Sequence, residues 1–177
     1  MIRETDFKDL FIVEHKYNSD SRGDFFEIFR LQSIDSKLDY NFNICQENLV
    51  KSSKNVLRGL HFQKNPYSQS KLVSVLKGKI FDIAVDLRKN SKTYGKYFSI
   101  CISCDDNISL FIPKGFAHGY LSLDHETLVS YKVDNYYNPK SECGIAYNDK
   151  SLNINWGLND NFMIISEKDK NYDAYRW

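Results

Sequence analysis

The sequence predicts an all-β fold, a sandwich or barrel of short strands. Tyr and Phe each occur 12 times and aromatics reach 15% of the chain, while prolines number only three. Aromatic and β-branched side chains suit a pleated, half-buried surface. The segment Lys79 to Leu87 alternates strictly, with Phe81, Ile83, Val85 and Leu87 on one face and Asp82 and Asp86 on the other. That is the period of a strand and not of a helix. Similar short runs recur along the chain, separated by turn formers, as in sandwiches and barrels.

In chain order the runs are Leu10 to His15, Asp24 to Arg30, Phe42 to Val50, Val56 to Gln63, Lys71 to Lys77 and Lys79 to Leu87, then Tyr97 to Cys104, Ile108 to Ile112, Tyr120 to Leu123 and Thr127 to Tyr136. They are punctuated by Ser21-Arg-Gly23, Lys77-Gly78, Cys104-Asp-Asp-Asn107, Pro113-Lys-Gly115 and Asn138-Pro139. Gly supplies positive φ, Pro presets φ, and Asp or Asn bonds its own backbone, so each cluster turns the chain. Leu31 to Leu38 reads as a short helix, and a further helical turn is possible after Ser166. There is no internal repeat, linker or low-complexity tract, so residues 1–177 read as a single domain of ordinary size.

Composition narrows the function classes. Lys and Arg total 24 against 23 Asp and Glu, a formal net charge of +1. Near-balance argues against nucleic acid or an anionic membrane as a partner held by bulk charge. No apolar run approaches the roughly 18 residues of a membrane span. The start, Met1-Ile-Arg-Glu-Thr-Asp6, is charged at once and lacks a signal peptide's apolar stretch, so a cytoplasmic location is expected. Cys45, Cys101, Cys104 and Cys143 do not suggest a disulfide framework. Cys101 and Cys104 form a Cys-x-x-Cys, but on a strand residues three apart face opposite ways, which suits neither a shared metal nor a bridge. A structural role is the expectation for these thiols.

Three strand-like runs each place a proton-transfer group among apolar neighbours. By alternation His61 shares a face with Leu57, Gly59 and Gln63, Lys71 with Val73 and Val75, and Tyr131 with Val129 and Val133. Inside a barrel these groups would meet in a poorly solvated cavity, where desolvation lowers a Lys pKa and favours neutral His, suiting acid and base roles. The plain alternative is a satisfied core His, a snorkelling Lys and a hydrogen-bonded Tyr. Pro113-Lys-Gly115-Phe-Ala-His118 would turn the chain and deliver His118 to the next strand. It is similar to the second motif of cupins, yet His61-Phe-Gln63 lacks the His-x-His of the first, so no metal site is expected. Glu167-Lys168-Asp169 is either a solvated charge run or the source of a carboxylate that orients a catalytic His. Arg22 and Arg58 could grip a diphosphate near one mouth. No Gly-x-Gly-x-x-Gly or Walker loop signals a dinucleotide or ATP.

Together the motifs carry a resemblance. Asp20-Ser-Arg-Gly-Asp-Phe-Phe-Glu27, Gln46-Glu-Asn48, Val56-Leu-Arg-Gly-Leu-His-Phe-Gln63, Lys71-Leu-Val73, Val85-Asp-Leu-Arg88, Ser91-Lys-Thr93 and Ile112-Pro-Lys-Gly-Phe-Ala-His-Gly119 follow one another in order. Tyr131-Lys132, Tyr136-Tyr137, Asn148-Asp149, Trp156 and Ser166-Glu-Lys-Asp169 complete the series. The sequence resembles the dTDP-4-dehydrorhamnose 3,5-epimerase family over nearly its whole length. The resemblance implies a cupin-type double-stranded β-helix (jelly-roll) barrel with short peripheral helices, a homodimer, and neither a metal nor an organic cofactor. The implied substrate is a nucleotide-diphosphate sugar, dTDP-4-keto-6-deoxyglucose, inverted at C3 and C5 in dTDP-rhamnose biosynthesis.

By the same resemblance His61 is the general base and Asp169 its carboxylate partner. Tyr131 is the acid on the opposite face, Lys71 stabilises the enolate, and His118 lies near the reacting sugar. Arg22, Glu27, Gln46, Glu47, Asn48, Arg58, Glu142 and Lys168 match substrate-contacting positions, and Tyr137 a base-stacking ring. The chain departs from the family at Gly157, where Pro usually follows the Trp, and at Tyr147, where Trp is frequent. It also stops soon after Asp169. A single-carbon epimerase, a 3,4-ketoisomerase, a metal-dependent cupin oxygenase and a non-catalytic sugar-nucleotide binder stand as alternatives.

Overall fold

A computed structural model, in which residues 1–176 are described, arranges the strands in two facing sheets and a separate two-stranded hairpin. The strands are β1 (Ile2–Glu4), β2 (Phe11–Glu14), β3 (Lys16–Asp20), β4 (Gly23–Glu27), β5 (Gln46–Ser52), β6 (Val56–Gln63) and β7 (Lys71–Lys77). They continue as β8 (Lys79–Asp86), β9 (Tyr97–Ser103), β10 (Ile108–Ile112), β11 (Phe116–Ser122), β12 (Thr127–Val133), β13 (Glu142–Gly144) and β14 (Ile164–Ile165). Two short helices, α1 (Leu31–Asp35) and α2 (Glu167–Lys170), lie at the periphery. The first sheet runs β1-β2-β10-β7-β12-β5 and the second β13-β6-β11-β8-β9, with β14 pairing parallel to β6. Strands distant in sequence thus lie side by side, β10 between β2 and β7, β11 between β6 and β8. This is the cupin-type jelly roll. No helix among the described residues is long and apolar enough to cross a membrane.

Three apolar clusters fix where a cavity can form. The first lies between the sheets and joins Ile12, Val73, Val75, Leu110, Ile112 and Val129 of one to Ile80, Ala84, Ile102, Phe116 and Tyr120 of the other. The second covers the outer face of the second sheet, where Leu57, Leu60, Ile83, Val85 and Leu121 pack against Leu152, Trp156 and Met163. The third covers the outer face of the first sheet, where Phe11, Val13, Leu72 and Phe111 meet Ile34 and Phe42. Strands such as β8 and β11 are therefore buried on both faces. Asp82 and Asp86, opposite Ile83 and Val85 by alternation, are fully buried. Asp86 is held by Arg88, Ser91 and Thr93.

The predicted runs for β6, β7 and β10 coincide with the strands, and the other differences have local causes. Phe42 belongs to the outer cover, so β5 begins only at Gln46. The helix stops at Asp35, whose carboxylate accepts the Phe42 N–H at 2.8 Å as the chain turns away. β11 starts at Phe116, straight after Gly115 (φ +85°), so His118 sits third in the strand. The four cysteines are free thiols, and Cys45 and Cys101 are exposed instead of packed in a core.

The expected face of β6 is corrected by a bulge. His118 pairs with His61 but Tyr120 pairs with Arg58, so β6 carries one extra residue between them. The bulge turns Leu57 and Leu60 to the outer cluster and Arg58 and His61 both to the inside. Gly59 makes this possible. Its φ is +115°, and a Cβ there would lie 2.5 Å from the Gly119 Cα and 2.7 Å from the His118 carbonyl. Backbone cannot move aside as a flexible side-chain tip can. Gly59→Ala is accordingly expected to cost at least about 1–3 kcal/mol from φ alone, read as a fall in the thermal midpoint on the order of 5–10 °C. Because the bulge also aims His61, activity should fall with it.

Candidate active site

Polar side chains gather where the between-sheet apolar cluster ends. A cavity of about 460 Å³ opens there, walled by β5, β7 and β12 on one side and β6 and β11 on the other. His61, Lys71, His118, Tyr131 and Asp169 all border it, as do Gln46, Asn48, Arg58, Tyr137, Glu142 and Lys168.

Asp169 owes its place to α2. Ser166 caps the helix by accepting the Asp169 N–H at 3.1 Å, and this turns the carboxylate inward. One carboxylate oxygen accepts from His61 Nε2 at 2.7 Å and the other from the Gly59 N–H at 3.2 Å, a donor the bulge presents. Burial alone would raise the Asp169 carboxyl. The bonds from His61, Gly59 and Ser166 outweigh burial and hold it below the usual carboxylate range. With Nε2–H given to that carboxylate, Nδ1 is the ring nitrogen left to accept a proton. The Glu167-Lys168-Asp169 run is not wholly solvated, since Asp169 is buried and bonded to His61.

The facing wall carries the other two groups. Tyr131 lies in β12 and Lys71 in the adjoining β7. Burial raises the Tyr131 phenol, Arg58 opposes that rise and Glu142 adds to it, so the hydroxyl stays protonated through the neutral range. Burial lowers the Lys71 ammonium from 10.5 to about 8, against the pull of Asp82 and Glu142. Beneath them His118 bonds Asp82 through Nε2 at 2.6 Å, and the second Asp82 oxygen is buried with no hydrogen-bond partner among the described residues. Asp82 was not singled out for chemistry, although alternation within β8 already set it opposite the apolar face.

A second polar group lines the mouth. Glu142 accepts from the Tyr137 hydroxyl at 2.6 Å and ion-pairs with Lys168. Gln46 accepts the Tyr137 N–H at 3.1 Å and donates to Asn48 at 2.9 Å. Arg58 is steadied by Ser52 at 3.0 Å.

Three expected residues lie elsewhere. Glu47 faces outward between Gln46 and Asn48, as strand alternation requires, and bonds Ser130 and Lys132, each at 2.6 Å. Arg22 and Glu27 sit on the β3–β4 hairpin, which pairs only with itself. Arg22 is exposed and bonded to Asp20, and Glu27 is bonded to Arg30. Of the two arginines expected at the mouth, only Arg58 borders this cavity. Among the described residues no group of three His, Cys, Asp or Glu side chains could hold a metal ion.

Fold and cavity define a cupin-type jelly roll whose barrel interior carries acid–base groups on both walls. The chain belongs to the dTDP-4-dehydrorhamnose 3,5-epimerase family, whose sequence model matches residues 4–176. It is 44% identical over 166 residues to the dTDP-4-dehydrorhamnose 3,5-epimerase of Escherichia coli K12, an alignment covering 94% of this chain and 89% of that protein. The crystal structure of dTDP-4-dehydrorhamnose 3,5-epimerase from Elizabethkingia anophelis superposes with a TM-score of 0.95 at 41% identity, covering 99% of this chain and 96% of that one. A dTDP-6-deoxy-D-glucose-3,5-epimerase from Legionella pneumophila, solved with dTDP-4-keto-L-rhamnose, gives 0.92 at 39% identity, covering 98% and 92%.

Proposed function

We propose that the protein is an isomerase that converts dTDP-4-dehydro-6-deoxyglucose to dTDP-4-dehydrorhamnose by inverting C3 and C5. The observation that carries this reading is a carboxylate-held His61 on one sheet facing a protonated Tyr131 on the other across one cavity. A proton beside a ketone is too weakly acidic for imidazole to remove unaided. His61 takes it from one face, with Asp169 holding the imidazolium that forms. Charge then moves to the C4 oxygen, where the Lys71 ammonium stabilises the enolate, an effect on the order of 3 kcal/mol for one well-placed donor. Tyr131 returns a proton from the other face, so the carbon inverts. C3 and C5 both flank C4, and one base and one acid serve both if the ring shifts between them.

The mouth accounts for the nucleotide end. Arg58 and Lys168 offer charge to the diphosphate and Tyr137 a ring for the base. The chain acts in the cytoplasm as a homodimer in this reading. The β3–β4 hairpin supports the dimer: Tyr17 (57% exposed) stacks on Phe26 (37%) on one face and Phe25 (71%) projects from the other, apolar surface that a second copy would cover. Arg22 and Glu27 would contact substrate if the hairpin reached the cavity of that second copy.

Incubation with dTDP-4-keto-6-deoxyglucose in deuterated water, followed by proton NMR, tests the reaction. Loss of both the C3 and C5 signals with formation of the inverted sugar is expected. Exchange at one carbon only would make the enzyme a monoepimerase, and no exchange at either would refute the proposal.

Lys71 adds a pH dependence of known sign. Below about 8 its amine is charged and the enolate is stabilised, so turnover should fall as pH rises through that value. Its folded pKa lies below the 10.5 of the free side chain, so the buried charge costs stability at neutral pH, and that cost is relieved between about 8 and 10.5. Lys71→Met should therefore lose turnover by about 10²-fold or more while its thermal midpoint stays level or rises. A variant that keeps turnover, or a flat profile from pH 7 to 9, would remove Lys71 from the mechanism.

A further inference from the structure

On the β13 side, the ladder neighbour of His61 has no side chain. In the β13–β6 pairing Gly144 stands directly opposite His61. The space a side chain would fill is taken by Tyr172, from the segment after α2. Three carbons of its ring lie 2.2–2.4 Å from where a Gly144 Cβ would be. The same ring meets the His61 imidazole edge-on, with centroids 5.7 Å apart and planes at 69°. The segment that delivers it is tied down beyond that point. Ala146 N–H donates to the Asp173 carbonyl at 3.0 Å, and Tyr175 N–H donates to the Asp149 carboxylate at 2.8 Å. The Tyr175 ring in turn rests edge-on against Phe62, the residue after the base.

An imidazole held by one hydrogen bond can still rock about it. A ring across the ladder removes that freedom, and cross-strand partners act in this way. We infer that Tyr172 is a positioning residue for the general base: seated over Gly144, its ring fixes the orientation of His61 and screens it from water. This rests on His61 being the base. The Tyr172 phenol also lies in the field of Lys168, Glu142 and Asp169. Misplacing a catalytic group by about 1 Å can cost as much as 10²-fold in rate, so the contact is large enough to matter.

The test uses the full chain with three substitutions. Tyr172→Ala removes the ring, Tyr172→Phe keeps it without the hydroxyl, and Gly144→Ala evicts it by occupying its seat. Tyr172→Ala should lower kcat by about 10–100-fold with KM within about twofold of wild type. Tyr172→Phe should restore kcat, and Gly144→Ala should reproduce the loss. Independently of substrate, the ring signals of His61 should be sharp in wild type and Tyr172→Phe, and broadened by reorientation of the imidazole in Tyr172→Ala. Wild-type kcat in Tyr172→Ala, unchanged His61 signals, or a lower thermal midpoint with kcat preserved would each overturn the inference. If wild type fails to exchange substrate protons the proposed reaction falls, whereas the ring signals, read without substrate, still decide on Tyr172.

Discussion

His61→Ala is expected to abolish exchange of both the C3 and C5 protons with solvent, a loss of at least about 10²–10⁴ in rate. His61 and His118 both border the cavity on that wall, each held through Nε2 by a carboxylate, and the proposed mechanism takes His61 as the base for both carbons. Both carbons therefore depend on the same base, and their signals should be lost or kept together. The substitution also leaves the buried Asp169 with the Gly59 N–H as its remaining inward donor. An uncompensated buried carboxylate costs about 1–3 kcal/mol, so the thermal midpoint should fall while the strand signature by circular dichroism persists. Proton NMR in deuterated water reads the two carbons separately. Persistent exchange at either carbon would mean that a second base exists.

The fold was legible wherever alternation and turn chemistry agreed. β7 is bounded by its own period and by Gly78, and β10 by Asn107 and Pro113. β3, all of it exposed, has no apolar face to alternate and left no signal. The faces of β6 failed for one reason. A bulge shifts every residue on one side of it to the opposite face, and its only trace in the sequence is a glycine inside a strand pattern. Gly59 was that trace. The pairing of His61 with Asp169 lies 108 residues apart in the chain, and the contact between Tyr172 and His61 depends on a tail strapped across the sheet. Neither separation nor strapping has a period. The residues carrying the pairing were reached through the motif Ser166-Glu-Lys-Asp169, whereas Tyr172 belongs to no motif and became visible only with the backbone of Gly144 beneath it. Glu47 shows the converse, a motif position that the strand sets apart from the cavity. A motif match grouped Gln46, Glu47 and Asn48, and the strand separates the middle residue from its neighbours.

Tyr131→Phe should uncouple two events that wild type performs together. The substitution removes a hydroxyl and leaves the ring, so the packing of Tyr131 against the between-sheet cluster is retained. His61, Asp169 and Lys71 are untouched, and the enolate can still form. Burial keeps the Tyr131 phenol protonated, which makes it a donor and not a second base. Without it the proton that returns comes from His61, on the face it left, and configuration is retained. In deuterated water the variant should wash label into the starting sugar faster than it forms the inverted one, with inversion lowered by about 10²–10⁴. If exchange and inversion fall together, the hydroxyl is needed to form the enolate, and the division of labour between the two walls is wrong. If inversion runs at the wild-type rate, Tyr131 is a packing residue and the acid lies elsewhere in the cavity. Tyr120, whose phenol is likewise raised by burial and which borders the same space, would then be the next hydroxyl to remove.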